Sequence, residues 1–244
     1  GRYDGTSRFA MGGRCGFFPP ASLGWGISEE SWFAPAKDVV NNLKLRASFG
    51  ITGVIPGSSY MSLLRYDYDT SYGNFVDASG KWSPSLTPIS NANPDLRWEK
   101  STEYNIGLDM GFFGNRLYAN IDLYNKVTSD MLWEYSVPVP PNLYGYTTAN
   151  VGSMSNQGIE VLIGGTPVQT KNFEWNSTLT LAHNRNKLLS MSNDLYETED
   201  YLDGGWTEEP TSMVTQRTYI GDAIGTFYML KSVGVVSEGS RKGT

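Results

Sequence analysis

Few side chains in this chain have the type and spacing for bond-making chemistry. His183 is the only histidine and Cys15 the only cysteine. These residues therefore supply no multi-histidine metal site, no cysteine-based one and no internal disulfide. Cys15 reads as an incidental thiol. Glu99, Glu103 and Asp109 invite comparison with glycosidase carboxylates, but Glu99 and Glu103 share one strand face about 13 Å apart by strand rise. Such mechanisms use about 5–9.5 Å. The stretch GDAIGTF (221–227) lacks the Lys-Ser/Thr of a phosphate loop, and Asn176-Ser177-Thr178 matches a glycosylation sequon by chance within a strand. No catalytic group, metal ion or cofactor is expected.

The positive signal is aromatic. Trp82 with Tyr66, Tyr68 and Tyr72, then Trp133, Tyr135, Tyr144 and Tyr146, then Tyr196, Tyr201 and Trp206 gather in or beside polar, Gly- and Pro-rich stretches. Flat amphipathic rings stack on sugar faces or pack on a protein partner while their polar atoms stay wet. Packing within the loops and against a partner together outweigh direct ligand contact for any single ring. Trp133, Tyr135, Tyr144, Tyr146 and Trp206 are the candidate substrate- or partner-binding residues.

The elements that must hold these rings are strands. From Arg97 to Asn125, Trp98, Thr102, Tyr104, Ile106, Leu108, Met110 and Phe112 share one parity, against Glu99, Ser101, Glu103, Asn105, Gly107, Asp109 and Gly111. After Gly114-Asn115 the alternation resumes with Leu117, Ala119, Ile121 and Leu123. Period two with a tight Gly/Asn turn predicts a hairpin with one dry and one wet face. Its strands exceed the roughly 5–6 residues usual in a globular sheet and suit the 9–11 tilted residues that cross a bilayer. Tyr104 and Phe112 then fall roughly 20 Å apart along the membrane normal, as girdle residues do. His183 falls on an outward parity and reads as an interfacial polar residue.

Similar alternation marks strands from Phe17, Leu43, Asn150 and Phe173, with a further strand expected near Tyr219–Val236. The turns at 114–115 and 170–172 are tight and the 28–42 link is moderate, whereas loops at 53–93, 137–148 and 192–217 are long. Strict alternation of short and long connections is what up-and-down transmembrane strands require. The fold class expected is all-β, an antiparallel up-and-down transmembrane β-barrel segment, in which Leu45, Phe49, Ile106, Leu108, Ile121 and Leu181 face lipid. No stretch approaches the 18 apolar residues of a spanning helix. A net charge of −6 and a pI near 4.9, with Lys and Arg scattered, exclude a nucleic-acid backbone as partner. Neither end resembles a natural terminus, so an internal fragment is expected, its export signal outside these residues.

The segments GRYDGTSRF, PPASLGWGISEE, LKLRASFGITG, NPDLRWEKSTEYNIGLDMGFFGNRL, DLYNKVTSDML, NVGSMSNQGIEVLI and GDAIGTFY, in that order, resemble the barrel of SusC-like TonB-dependent outer-membrane transporters. Gly26 departs from the pattern, which favours a larger, often basic residue there. The resemblance implies an integral outer-membrane barrel of 22 strands, about eight of them within residues 1–244, with the plug domain and remaining strands outside this chain. It implies import of oligosaccharides or peptides, a SusD-like surface lipoprotein as lid, and energy from the TonB complex through the N-terminal plug; such a protein is not an enzyme. The rival reading from the residues is a secreted β-sandwich that binds polysaccharide through the same aromatics; a glycoside hydrolase is a third.

Overall fold

The computed structural model describes residues 1–192, 201–209, 211–232 and 234, leaving aside the side chains of 69–74. Its strands are β1 (Arg2–Gly5), β2 (Cys15–Phe18), β3 (Pro20–Gly26), β4 (Val40–Val54), β5 (Arg65–Val76), β6 (Trp82–Ser90), β7 (Glu99–Phe112), β8 (Leu117–Ser136), β9 (Tyr146–Gln169), β10 (Glu174–Ser190), β11 (Tyr201–Trp206) and β12 (Val214–Tyr219). Six of them form one antiparallel sheet in the order β3-β4-β7-β8-β9-β10. Each strand lies beside its predecessor in the wall, which is the up-and-down topology the alternating connections predict. The remaining strands pair as β1-β2, β5-β6 and β11-β12.

The register sorts the side chains into rows across all six wall strands. Trp25, Leu45, Leu108, Ile121, Val161 and Leu181 are successive cross-strand partners, as are Leu23, Ala47, Ile106, Leu123, Ile159 and His183. Between these rows, on the opposite face, run Gly24, Arg46, Gly107, Asp122, Glu160 and Ala182. One face is therefore a continuous apolar band and the other polar. Leu45, Ile106, Leu123, Leu179 and Leu181 stay exposed. A sandwich would bury that face under a second sheet; among the described residues none lies over it. Phe49 and Tyr104 touch at 5.1 Å between ring centroids, where the band gives way to the polar row of Asn125, Gln157 and Arg185. His183 sits one row inside that boundary.

Tight turning at one end comes from backbone conformation. Phe113, Gly114 and Asn115 all have positive φ (53°, 68° and 64°), the conformation that lets β7 reverse into β8 within 113–116. β9 and β10 are joined by 170–173, where Thr170 N–H donates to Phe173 O at 2.7 Å. The 27–39 link carries two 3-10 turns, Ile27–Glu29 and Ser31–Ala36.

The opposite end holds the buried core. β8 has 20 residues and β9 has 24, which at about 3.3 Å each is more than twice a bilayer's apolar thickness. Beyond the band, Phe9, Phe18, Leu96 and Trp98 form a buried cluster, with Phe18 edge-on to Trp98 at 5.3 Å. Leu96 has no exposed surface. The dry parity of β7 thus leads Trp98 into this core.

Three expectations change, one of them the long loop at 192–217, which contains β11 and the start of β12. The long loop at 53–93 contains the β5-β6 hairpin, turned by Asp77, whose carboxylate accepts the Ser79 and Lys81 N–H groups at 2.9 and 3.0 Å. The strand expected from Tyr219 is absent among the described residues: positive φ at Gly221 and Gly225 turns the chain back. Arg217 N–H then donates to Thr226 O, and Tyr228 N–H to Thr215 O. Residues 233, 235 and 236 of that expected strand lie outside the described residues.

The two faces predict opposite responses on one strand. In the full-length barrel, Ile121→Arg on the apolar face is expected to lose about 2–4 kcal/mol of folded-barrel stability. Asn120→Arg, one residue away on the polar face, is expected to leave it within about 0.5 kcal/mol. Urea unfolding in lipid vesicles measures both, and equal effects would remove the face assignment.

Candidate functional site

The polar face is organised by one arginine. Arg46 on β4 donates from Nε and a terminal nitrogen to both carboxylate oxygens of Asp109 on β7, each at 2.8 Å. The same guanidinium reaches across β7 to Asp122 on β8 at 3.1 Å. It can do so because Gly107, between them in the row, has no side chain: a Cβ there would lie 2.6 Å from both Arg46 and Asp122. A planar five-donor group can satisfy two carboxylates in this way where lysine cannot. Further along, Tyr124 OH donates to Asn184 at 2.9 Å, passing over Gly158 of β9. Gly26 pairs with Lys44, and its side is occupied by Glu29, which also bridges to Lys37 at 3.5 Å.

At the far end the long connections are locked to each other by asparagines. The Asn91 side chain donates to the carbonyls of Tyr144 (2.6 Å) and Tyr146 (2.9 Å) and accepts from the N–H groups of Leu143 and Tyr144. Asn93 donates to Thr148 O at 2.8 Å. Asn150 accepts from Arg97 N–H and donates to the carbonyls of Arg97 and Asp130. Arg97 also pairs with Asp130 at 2.6 Å, which holds its guanidinium above the ordinary arginine range. Three side chains thereby fix the segment Asn91–Trp98 against the start of β9.

The candidate aromatics lie on this locked end, in different settings. Trp133 on β8 is exposed, beside a pocket of about 340 Å³ lined also by Pro56, Ser58, Met61, Glu99 and Thr148. Tyr144 is half-buried and Tyr146 exposed, with ring centroids 6.0 Å apart. Tyr135 is only 5% exposed: its ring packs with Ala149 and Val151, its hydroxyl donates to Met191 O, and burial pushes the phenol up to about 12. It supports the surface from beneath and does not present a face to a ligand. Trp206 is exposed on β11, opposite Val214. Its hairpin is held by Arg217, stacked at 3.9 Å from the Tyr201 ring centroid and 4.4 Å from that of Tyr228, and paired with Asp203 at 2.6 and 2.8 Å. Tyr196 and the side chain of Tyr72 lie outside the described residues.

Two of the three carboxylates weighed above, Glu99 and Asp109, are engaged structurally. Glu99 accepts the Leu132 N–H at 3.0 Å, and Asp109 and Asp122 share Arg46. No cluster of three His, Cys, Asp or Glu suited to a metal ion occurs among the described residues. Sequence reasoning missed the Arg46 triad and the asparagine lock. The triad was recoverable by extending the wet parity of β4 across β7 to β8; the lock had only the Asn-x-Asn-Pro spacing of 91–94 as a signal.

Comparison with known proteins bears on all of this. The family described as TonB dependent receptor-like, beta-barrel matches residues 1–240. The chain is 33% identical over 234 residues to the TonB-dependent receptor SusC of Bacteroides thetaiotaomicron, covering 95% of this chain and 23% of that one. It is 35% identical over 236 residues to a TonB-dependent receptor of Formosa agariphila, covering 96% and 20%. Among solved structures it resembles the RagAB peptide importer in its closed-closed state, with a TM-score of 0.74 and 26% identity over 96% of this chain and 23% of that one. The chain thus spans about a quarter or less of the length of these relatives.

Filling the gap under Arg46 tests the triad. Gly107→Val is expected to break the Arg46–Asp122 contact and lower the stability of the full-length barrel by about 1–3 kcal/mol, read as a lower temperature for loss of the compact gel band. The β11-β12 hairpin makes a pH prediction. The hydrogen bond from Arg217 holds the Asp203 carboxyl below its ordinary range, so this contribution is complete above the unfolded aspartate value of about 3.9 and disappears as pH falls through the lowered folded-state value. Hydrogen exchange at residues 201–206 and 214–219 should keep its protection factors from pH 7 to about 5 and show a modest fall in them well below pH 4.

Proposed function

Because this chain belongs to the TonB-dependent receptor-like β-barrel family, we propose that it is the barrel portion of an outer-membrane importer of bulky nutrients, oligosaccharides ahead of peptides. The chain is an integral outer-membrane β-barrel segment, and no bond is made or broken in the proposed task. Residues 1–244 form part of the wall of a longer protein whose plug domain and further strands complete it. The TonB complex drives opening through that plug, and a SusD-like surface lipoprotein lids the barrel. The wall supplies a polar inner surface and carries the loops that meet cargo.

The observation that carries the reading is the placement of Trp133, Tyr144, Tyr146 and Trp206 at the loop end of a sheet whose inner face is polar and whose outer face is apolar. Tyr135 holds the β8–β9 end in place beneath them. Exposed rings on a hydrogen-bonded frame favour sugar stacking, which is tolerant of detail and leaves hydroxyls solvated. The likeness to the RagAB peptide importer favours the peptide reading as the second one.

The test uses the full-length protein from its natural source, reconstituted with its lipoprotein partner. Trp133→Ala, Tyr146→Ala and Trp206→Ala are each expected to weaken oligosaccharide binding about three- to tenfold, with the heat-shiftable compact band of a closed barrel retained. Weakened peptide binding with no change for oligosaccharide would select the peptide reading. Unchanged affinity for both ligands would remove these rings from the site.

A further inference from the structure

The two faces of the wall differ in the sign of their charge as well as in polarity. The four outward rows that reach β10 at Leu181, His183, Arg185 and Lys187 contain no carboxylate on any of their strands. The inward rows that alternate with them hold Glu103, Asp122 and Glu160. A chain of net charge −6 thus turns only basic groups outward at this level. Two of them, Arg185 and Lys187, are alternate residues on one strand face, about 7 Å apart by strand rise.

Their depth is set by the strands themselves. The apolar band ends on β10 at Leu181, on β9 at Ile159 and on β8 at Leu123, and the next outward residues are His183, Gln157 and Asn125. Arg185 shares a row with Gln157 and Asn125, and all three are exposed. Lys187 lies opposite Ser155 in the row beyond. Six residues of a strand tilted ~40° carry Lys187 about 15 Å along the membrane normal from Leu181. Both cations therefore stand above the hydrocarbon, in the headgroup layer, on the side that faces lipid. Neither has an ion-pair partner among the described residues. A guanidinium fork beside an ammonium, with two amides and a hydroxyl alongside, suits a phosphate carried on a sugar.

We propose that Arg185 and Lys187, flanked by Asn125, Gln157 and Ser155, form a binding surface for a phosphorylated glycolipid of the outer leaflet of the outer membrane. Its phosphate rests on the two cations and its acyl chains lie over Leu181, Ile159 and Leu123 below them. The inference rests on the barrel reading for its sidedness, since it takes the long loops as external. It does not depend on which cargo is carried. A glycerophospholipid fits less well, because its short headgroup ends near His183, whereas the polar and cationic groups continue outward as a sugar headgroup does.

The test is native mass spectrometry of the full-length barrel in detergent with added lipid A. It compares wild type, the double variant Arg185→Gln with Lys187→Gln, and Lys126→Gln, which removes a cation from the inward face. The heat-shifted gel band verifies folding of each. Wild type and Lys126→Gln are expected to retain one lipid A after delipidating washes, and the double variant about tenfold less. Wild type is expected to retain enzymatically dephosphorylated lipid A, and phosphatidylglycerol, about tenfold less than lipid A. Equal retention of lipid A by all three proteins would overturn the site while leaving the barrel reading intact. Undiminished retention of the dephosphorylated form would overturn the phosphate contact, and phosphatidylglycerol held as tightly as lipid A would overturn the glycolipid. A wild-type protein lacking the heat shift would instead overturn the barrel reading, and the inference with it.

Discussion

At bilayer depth no water is available to backbone amides, so every N–H and C=O of the wall must be satisfied by a neighbouring strand. The rest of the molecule depends on that constraint. It forces consecutive strands to lie side by side, and once they do, the register decides which side chains meet lipid. A one-residue slip would send Leu45, Leu108, Ile121, Val161 and Leu181 to the inner face and Arg46, Asp122 and Glu160 outward. The apolar band is thus a record of the register, and the register is held over the full breadth of the six strands.

The inner face shows how a wall can carry charge without clogging itself. Arg46 lies flat across β7 instead of projecting, because Gly107 leaves room for it, and its carboxylate partners come from the next strand and the one beyond it. Tyr124 lies over Gly158 in the same manner. Long side chains are folded onto the sheet by glycines of the next strand, so the surface is polar yet low in relief. Each such pair also ties two or three strands together through side chains, adding to the backbone ladder.

Much of the wall was legible because lipid on one side and water on the other impose the strongest period-two signal a sheet can have. Arg97–Asn125 shows it, and so do the segments around Leu43, Ile159 and Leu179. The β5-β6 hairpin was not legible: it lacks a dry face, and Pro84 and Pro88 interrupt its alternation. Apolar residues on both parities after Tyr219 resembled a strand, but Gly221 and Gly225 decide the matter by their φ angles. Of the five candidate rings, the four that retain exposed or half-buried faces could be placed by their loop context, whereas the burial of Tyr135 depends on Ala149, Val151 and Met191, which no local pattern connects to it. Trp98 shares the dry parity of Ile106 and Leu108, and beyond the band that parity leads it into the core with Phe9, Phe18 and Leu96.

The asparagine lock has a bearing on the order of assembly. Asn150 bonds to Arg97, 53 residues earlier, and to Asp130, 20 residues earlier, while Asn91 reaches Tyr144 across 53 residues. None of these bonds can form until β7, β8 and β9 have already aligned, since only their pairing brings the three segments together. Contacts of such long sequence separation form late and at high entropic expense. The rim therefore closes as a latch after the staves are set, and a barrel whose strands had zipped one pair out of step would leave that latch open.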